Sequence, residues 1–178
     1  MKKIIVLVMM ILSLLGCNMS NTPSDEVERY LDNFNNLSDE VIMDVDSKVS
    51  LEELNNENKE IYKKVLLRQY ENMKYEITDE SIEKNTAMVK ANITVYDYYK
   101  INDLSNIYMN EHVSEFNNIN GIFDNDKYNS YRLNELLKTN DTTTYEVIFS
   151  LKKDSNGNWI MSDPSRETLE KLNGFYVN

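Results

Sequence analysis

The sequence predicts an α+β domain: helices packed on one face of an antiparallel sheet, with a helical insertion between the central strands. Three observations predict it. Apolar residues recur at helical spacing between Val27 and Leu66, and at Met73 the period switches to strict alternation. Two alternating segments then stand 40 residues apart, across residues 102–141, where helical spacing returns.

The elements follow in order. Thr22-Pro23-Ser24-Asp25 starts a helix, with Thr22 as cap, Pro23 in the first turn and Asp25 at the positive end of the dipole. Val27, Tyr30, Leu31 and Phe34 form its apolar stripe. Asp39 to Val45 has the pattern of one or two helical turns. Ser50-Leu51-Glu52-Glu53 reads as a capping box opening a further helix through Leu54, Ile61, Tyr62, Val65 and Leu66. Met73, Tyr75 and Ile77 share one strand face. Ala87, Val89, Ala91, Ile93 and Val95 share a face of the clearest strand, which is expected to end near Ile101. Thr143, Tyr145, Val147, Phe149 and Leu151 mark a third strand. Asp154-Ser-Asn-Gly-Asn158 turns the chain into a return strand at Trp159-Ile160-Met161. Asp163-Pro164 opens a short last helix that Gly174 stops.

The chain has 178 residues, with 19 Lys+Arg against 30 Asp+Glu, a formal net charge of −11. Phosphates would be repelled by that balance, and no basic stripe offsets it, so nucleic acid is not an expected partner. A single Cys forbids an internal disulfide, and one Cys with one His cannot make the usual structural zinc sets.

The amino-terminal segment reads as an export signal. Lys2-Lys3 precede an unbroken apolar run from Ile4 to Leu12, too short for a membrane span, which needs roughly 20 residues. It closes on Leu14-Leu15-Gly16-Cys17, which resembles the lipobox of bacterial lipoproteins. That resemblance implies cleavage after Gly16, a diacylglyceryl thioether on Cys17 and, in many bacteria, an acyl chain such as palmitate on the new amine. The chain is thus expected to comprise a lipoprotein signal peptide, 1–16, a lipidated Cys and tether, 17–22, and a single α+β domain, 23–178, with its helical insertion at 102–141. Losing residues 1–16 removes Lys2 and Lys3, leaving 17 basic and 30 acidic residues, a net −13. Two or three acyl chains would make attachment persistent where one is marginal.

A second resemblance lies in the order of elements. A helix like Ser24 to Phe34, a second helix, and strands like Tyr75-Glu-Ile-Thr78 and Ala87 to Val95 are followed by Tyr145 to Lys153, a Gly-Asn turn and Trp159. This order resembles the nuclear-transport-factor-two-like, or cystatin-like, domains, which implies that the sheet is curved into a cone. The family includes isomerases as well as binding and dimerising modules, so the resemblance leaves function open.

No residues assemble into a catalytic set. His112 would share a helical face, across 103–117, with Leu104, Tyr108 and Phe116, which suits packing more than base chemistry. Tyr75 and Tyr145 are the polar exceptions on the inward strand faces, where Tyr packs with its hydroxyl at the rim. Asp124-Asn125-Asp126 with Glu135 departs from a calcium loop at Tyr128, Asn129 and Arg132, so it reads as a turn and helix cap. Tyr96-Asp97-Tyr98-Tyr99 suits either a sheet face or a contact surface. The expectation is a non-catalytic, lipid-anchored binding or interaction domain on the outer side of the cell membrane, with no cofactor and no metal. The alternative is a small hydrolase or isomerase acting in a cone pocket. Partners consistent with this are an envelope protein, a small molecule or a second copy. A transporter's solute-binding protein needs roughly two lobes, more than the length permits. The insertion is expected to carry the specific part of function, its apolar faces packing on the open face or mouth of the sheet. The other reading is that it completes the core.

Overall fold

The computed structural model describes residues 21–177. Six helices and four strands follow in the order α1 (Pro23–Asn35), α2 (Asp39–Leu51), α3 (Asn56–Glu71), β1 (Lys74–Glu83), β2 (Thr86–Tyr96), α4 (Tyr98–Glu111), α5 (Asn125–Lys138), β3 (Thr142–Lys153), β4 (Trp159–Met161) and α6 (Arg166–Asn173). A 3₁₀ turn, Val113–Phe116, lies between α4 and α5. The strands form one antiparallel sheet in the order β1-β2-β3-β4. Helices cover one face, and α4 and α5 lie between the two central strands in sequence, the architecture the sequence predicts.

Alternation fixes the covered face. Ala87, Val89, Ala91, Ile93 and Val95 of β2 are buried, as are Tyr145, Val147, Phe149 and Leu151 of β3. The register sets Ala91 beside Val147 and Ile93 beside Tyr145. On this layer lie Val27, Leu31 and Phe34 of α1, Val41, Val45 and Val49 of α2, and Leu66 and Tyr70 of α3. The opposite face stays open to solvent, with Met88, Ile148 and Ile160 about half exposed among polar neighbours. A bulge at Thr78 shifts the register of β1, so Glu80 comes onto the helix-covered side and accepts from the Ser24 backbone N–H (2.9 Å) and hydroxyl (2.5 Å). Together with the Thr22–Asp25 capping box, this satisfies the free N–H groups that open α1. The Thr22 backbone and side-chain bonds hold the Asp25 carboxyl below its ordinary value.

Six expectations are corrected. Ser50 opens no helix: its hydroxyl bonds the Ser47 carbonyl at 2.7 Å inside the last turn of α2. The helix capped by Ser38 runs the full 13 residues from Asp39, because Val41, Val45 and Val49 at i, i+4 spacing all reach the core. The next helix is capped by Asn55 instead. Strand β2 ends at Tyr96, not near Ile101, since the Asp97 carboxylate accepts from Lys100 N (3.0 Å) and starts α4 there. Helix α4 ends at Glu111, so His112 is its cap and Phe116 belongs to the separate turn. Ser165, not Asp163-Pro164, caps α6.

The sixth correction concerns the insertion, which packs on α3 and leaves the open sheet face bare. Leu133 and Leu136 of α5 are fully buried with Val65 of α3 and Tyr98 of α4, in a second apolar cluster apart from the sheet. Arg68 donates to the carbonyls of Leu136 (3.5 Å) and Thr139 (2.7 Å), and Asn58 donates to that of Asp126 (3.0 Å). Helices α3 and α5 therefore run side by side in the same direction. The Tyr98 hydroxyl donates to the Val65 carbonyl at 3.1 Å, and burial pushes this phenol up to about 12. Deleting Asp103 to Asn140 behind a Gly-Ser bridge would bare Val65 and orphan Arg68. The expected result is loss of the cooperative thermal transition by circular dichroism; a sharp transition retained in the deletion would refute this packing role.

Candidate functional site

The apolar cleft on the helical side lies between α1, α2 and α6. Its volume is about 270 Å³, and Tyr30, Phe34, Val41 and Leu169 form its walls. Each comes from a stripe that faces the core, so the cleft is where the stripes of three helices fail to close completely. The Tyr30 ring meets Phe34 edge-on at 5.1 Å and Phe149 at 5.9 Å, which fixes the wall against the sheet.

A polar chain runs along one side. Lys48 Nζ lies 2.8 Å from Asp44 Oδ2 and donates to the Tyr70 hydroxyl at 3.3 Å. The Tyr70 hydroxyl in turn donates to Asn173 Oδ1 at 2.5 Å, linking α2, α3 and α6. Burial opposes the Lys48 charge, but Tyr70 and Asp44 outweigh it and hold the ammonium above the ordinary lysine value. Burial likewise raises the phenols of Tyr30 and Tyr70. The raised phenols stay neutral at pH 7, while the raised ammonium stays charged. Lys48 therefore stays protonated at pH 7 and presents a fixed charge, with no free amine for nucleophilic attack. An apolar recess edged by the Lys48–Asp44 ion pair and a few hydrogen-bonding groups is suited to holding a small ligand.

The residues singled out from sequence lie apart from this cleft. Gly16 and Cys17 fall outside the described residues. His112 stacks on Tyr108 at 4.1 Å, with its Nδ1 3.0 Å from the Tyr108 carbonyl. Asp124 caps α5, accepting from Asp126 N and Lys127 N at 3.0 and 3.2 Å, while Glu135 pairs with Lys138 at 2.7 Å. The calcium-like spacing is thus a helix start followed by a surface ion pair. Asp154 accepts from the backbone of Asn156 and Asn158, both at 2.8 Å, as a hairpin turn does. The Tyr75 hydroxyl donates to Asp32 at 2.6 Å, and that of Tyr145 to the Tyr176 carbonyl at 3.1 Å. The Tyr96–Tyr99 cluster divides: Tyr98 is core, Tyr96 lies under the Arg68 guanidinium at 3.7 Å, and Tyr99 stays exposed. Among the described residues no three His, Cys, Asp or Glu side chains converge as a metal set, and no helix is long and apolar enough to cross a membrane.

Lys48 and Tyr70 were not legible as a site because they lie 22 residues apart and meet only through packing. The spacing of Asp44 and Lys48 at i, i+4 was the available signal. No protein-family model matches the chain, and no curated protein matches it. Among solved structures the chain is similar to YcdA, a candidate lipoprotein of Bacillus subtilis, at 16% identity and a TM-score of 0.40. The match covers 87% of this chain and 50% of that one, so the chain spans half the length of YcdA. A likeness of that size carries no argument about fold or role.

Proposed function

We propose that the protein is a lipid-anchored lipoprotein of the bacterial cell envelope, whose folded part is a non-catalytic binding domain on the outer side of the membrane. The observation that carries this reading is the sequence Leu14-Leu15-Gly16-Cys17 closing a short apolar run behind Lys2-Lys3. Helix α1 begins at Pro23, six residues after Cys17, so the tether is short and the domain rides close to the bilayer. The net −13 of the processed chain keeps it off anionic headgroups and leaves attachment to the acyl chains. The order of elements further supports placing the domain among the nuclear-transport-factor-two-like cones. The apolar cleft between α1, α2 and α6 is the proposed place for a small ligand.

Cells grown with an alkyne-tagged palmitate are expected to label the wild-type protein and to leave Cys17→Ala unlabelled. The intact mass of the membrane-extracted chain should begin at Cys17 and carry diacylglyceryl. Recovery of unmodified wild-type protein from the medium would refute the anchor.

A further inference from the structure

Helix α1 lies antiparallel to β1: Ser24 bonds Glu80 near one end, and Asn35 Nδ2 donates to the Met73 carbonyl at 2.6 Å near the other. The chain before Pro23 therefore leaves the fold at the end of the sheet where β1 turns into β2. The insertion lies at the opposite end, beyond Tyr96. An extended chain spans at most about 3.6 Å per residue, so Pro23 can stand no farther than about 22 Å from Cys17. At the usual strand rise the β1–β2 turn reaches about 13 Å past Glu80 on the same side. A surface that holds Cys17 is thus within reach of this end of the sheet.

That end collects free cations. Lys84 and Asn85 form the two-residue turn, Lys152 stands opposite Thr86, and Lys153 N donates to the Asn85 carbonyl at 2.8 Å. All three lysines are exposed, and none is in an ion pair among the described residues. Lys84 holds φ 55°, where Gly is the unstrained choice, so its side chain is carried at a backbone cost. Three carboxylates nearby are turned onto the chain's own N–H groups: Asp25 accepts from Thr22 N (2.9 Å), Glu80 from Ser24, and Asp154 from Asn156 and Asn158. The Glu83 carboxylate opposes the lysines, while the amino end of α1 adds roughly half a positive charge. Ile82, Met88 and Ile160, each about half exposed, stand on the neighbouring strand positions. A trough of about 380 Å³ opens on the bare sheet face among Ser81, Ser150, Ser162 and Lys152. Hydroxyls beside an ammonium suit the phosphate and glycerol oxygens of a lipid headgroup.

We infer that the protein stands on the bilayer with this end of the sheet down, Lys84, Lys152 and Lys153 against anionic headgroups and the insertion turned outward. The inference rests on the lipid anchor proposed above and adds an orientation to it. The negative charge of the body works in the same sense. Repulsion holds the other faces off, so the end with free ammonium groups is the one that approaches.

Trp159, the sole Trp, pairs with Lys153 at this end and serves as the reporter. The lipidated full chain is reconstituted in vesicles carrying a trace of dansyl-headgroup lipid, and energy transfer from Trp159 is read together with flotation. Transfer is expected to be about twofold higher with phosphatidylglycerol than with phosphatidylcholine alone. It should fall to the phosphatidylcholine level in about 1 M salt, where screening acts within about 3 Å. Lys84→Gln with Lys152→Gln should abolish the difference between the lipids, and Lys100→Gln with Lys138→Gln, on the insertion side, should preserve it. The wild-type comparison needs no variant, so a double variant that fails to fold leaves the test intact. A chain that floats but transfers equally in the two lipids, or loses transfer equally in the two lysine pairs, would overturn the orientation and leave the anchor standing. A chain that does not float would overturn the anchor and the orientation with it.

Discussion

Replacing Trp159 by Ala is expected to cost about 3–5 kcal/mol, a large share of the 5–15 kcal/mol that ordinarily separates a folded domain from its unfolded chain. Trp159 opens β4 at the end of the sheet and is 6% exposed, in the same apolar cluster as Phe149, Val147 and Val27. Strand β4 has only three residues and pairs with β3 through Leu151–Met161, Lys152–Ile160 and Lys153–Trp159. So short a strand is held chiefly by what its side chains bury. Lys153 Nζ lies over the face of the indole ring, 4.8 Å from its centroid. Guanidinium unfolding followed by far-ultraviolet circular dichroism would measure the loss. In the wild type, emission from this sole Trp should be blue-shifted and resist iodide. A cost below about 1 kcal/mol, or emission characteristic of exposed indole, would contradict the packing assigned to β4.

Gly174→Ala is expected to cost about 3 kcal/mol, the sum of two effects. Gly174 ends α6 in the left-handed conformation, at φ 74°, where a Cβ costs about 1–2 kcal/mol. The added methyl would also strike Gln69 Nε2 and the Tyr96 carbonyl. These two groups bond each other at 3.1 Å, while Gln69 Oε1 accepts from Tyr96 N at 2.9 Å. Gln69 is fully buried, so displacing its amide orphans groups that water cannot reach, at about 1–3 kcal/mol. The Gly174 carbonyl also accepts from Tyr99 N at 2.8 Å, so the strain reaches the start of α4. Gly157→Ala is the matched control. It has φ 84° but open space around the new methyl, and should lose only the conformational part, about 1–2 kcal/mol. Equal costs at the two glycines would show that the contact with Gln69 and Tyr96 contributes nothing.

The elements legible in the sequence were those whose signals are local. A strand with one buried face alternates, and β2 and β3 do so over their whole buried length. The Thr22-Pro23 start, the Asp154–Asn158 turn and the Gly174 stop each follow from a residue's own conformational preference or short side-chain reach. Helix α2 was harder to see. Its valines favour strands, Ser50 resembles a cap, and only burial of Val41, Val45 and Val49 carries the helix through to Leu51. The candidate sites were scarcely legible at all. In the apolar cleft, Lys48 meets a hydroxyl that is hydrogen-bonded to a residue 103 positions further along from it. The side chain of Asn58 likewise meets its partner carbonyl 68 positions away.

By itself, then, the sequence determined the class of the domain, the inward face of each principal strand and the helix boundaries marked by strong caps. These depend on steric preference and periodicity, which act within a few residues. Only the tertiary structure decided that the insertion lies along α3 and leaves the sheet's other face bare. It also decided that Arg68 closes the carboxyl end of α5 and that Asn58 joins α3 to the first turn of α5. The apolar stripes of α4 and α5 specify that something must cover them without specifying what, because burial rewards area without regard to position in the chain. Shape and hydrogen bonding between segments some 70 residues apart made that choice.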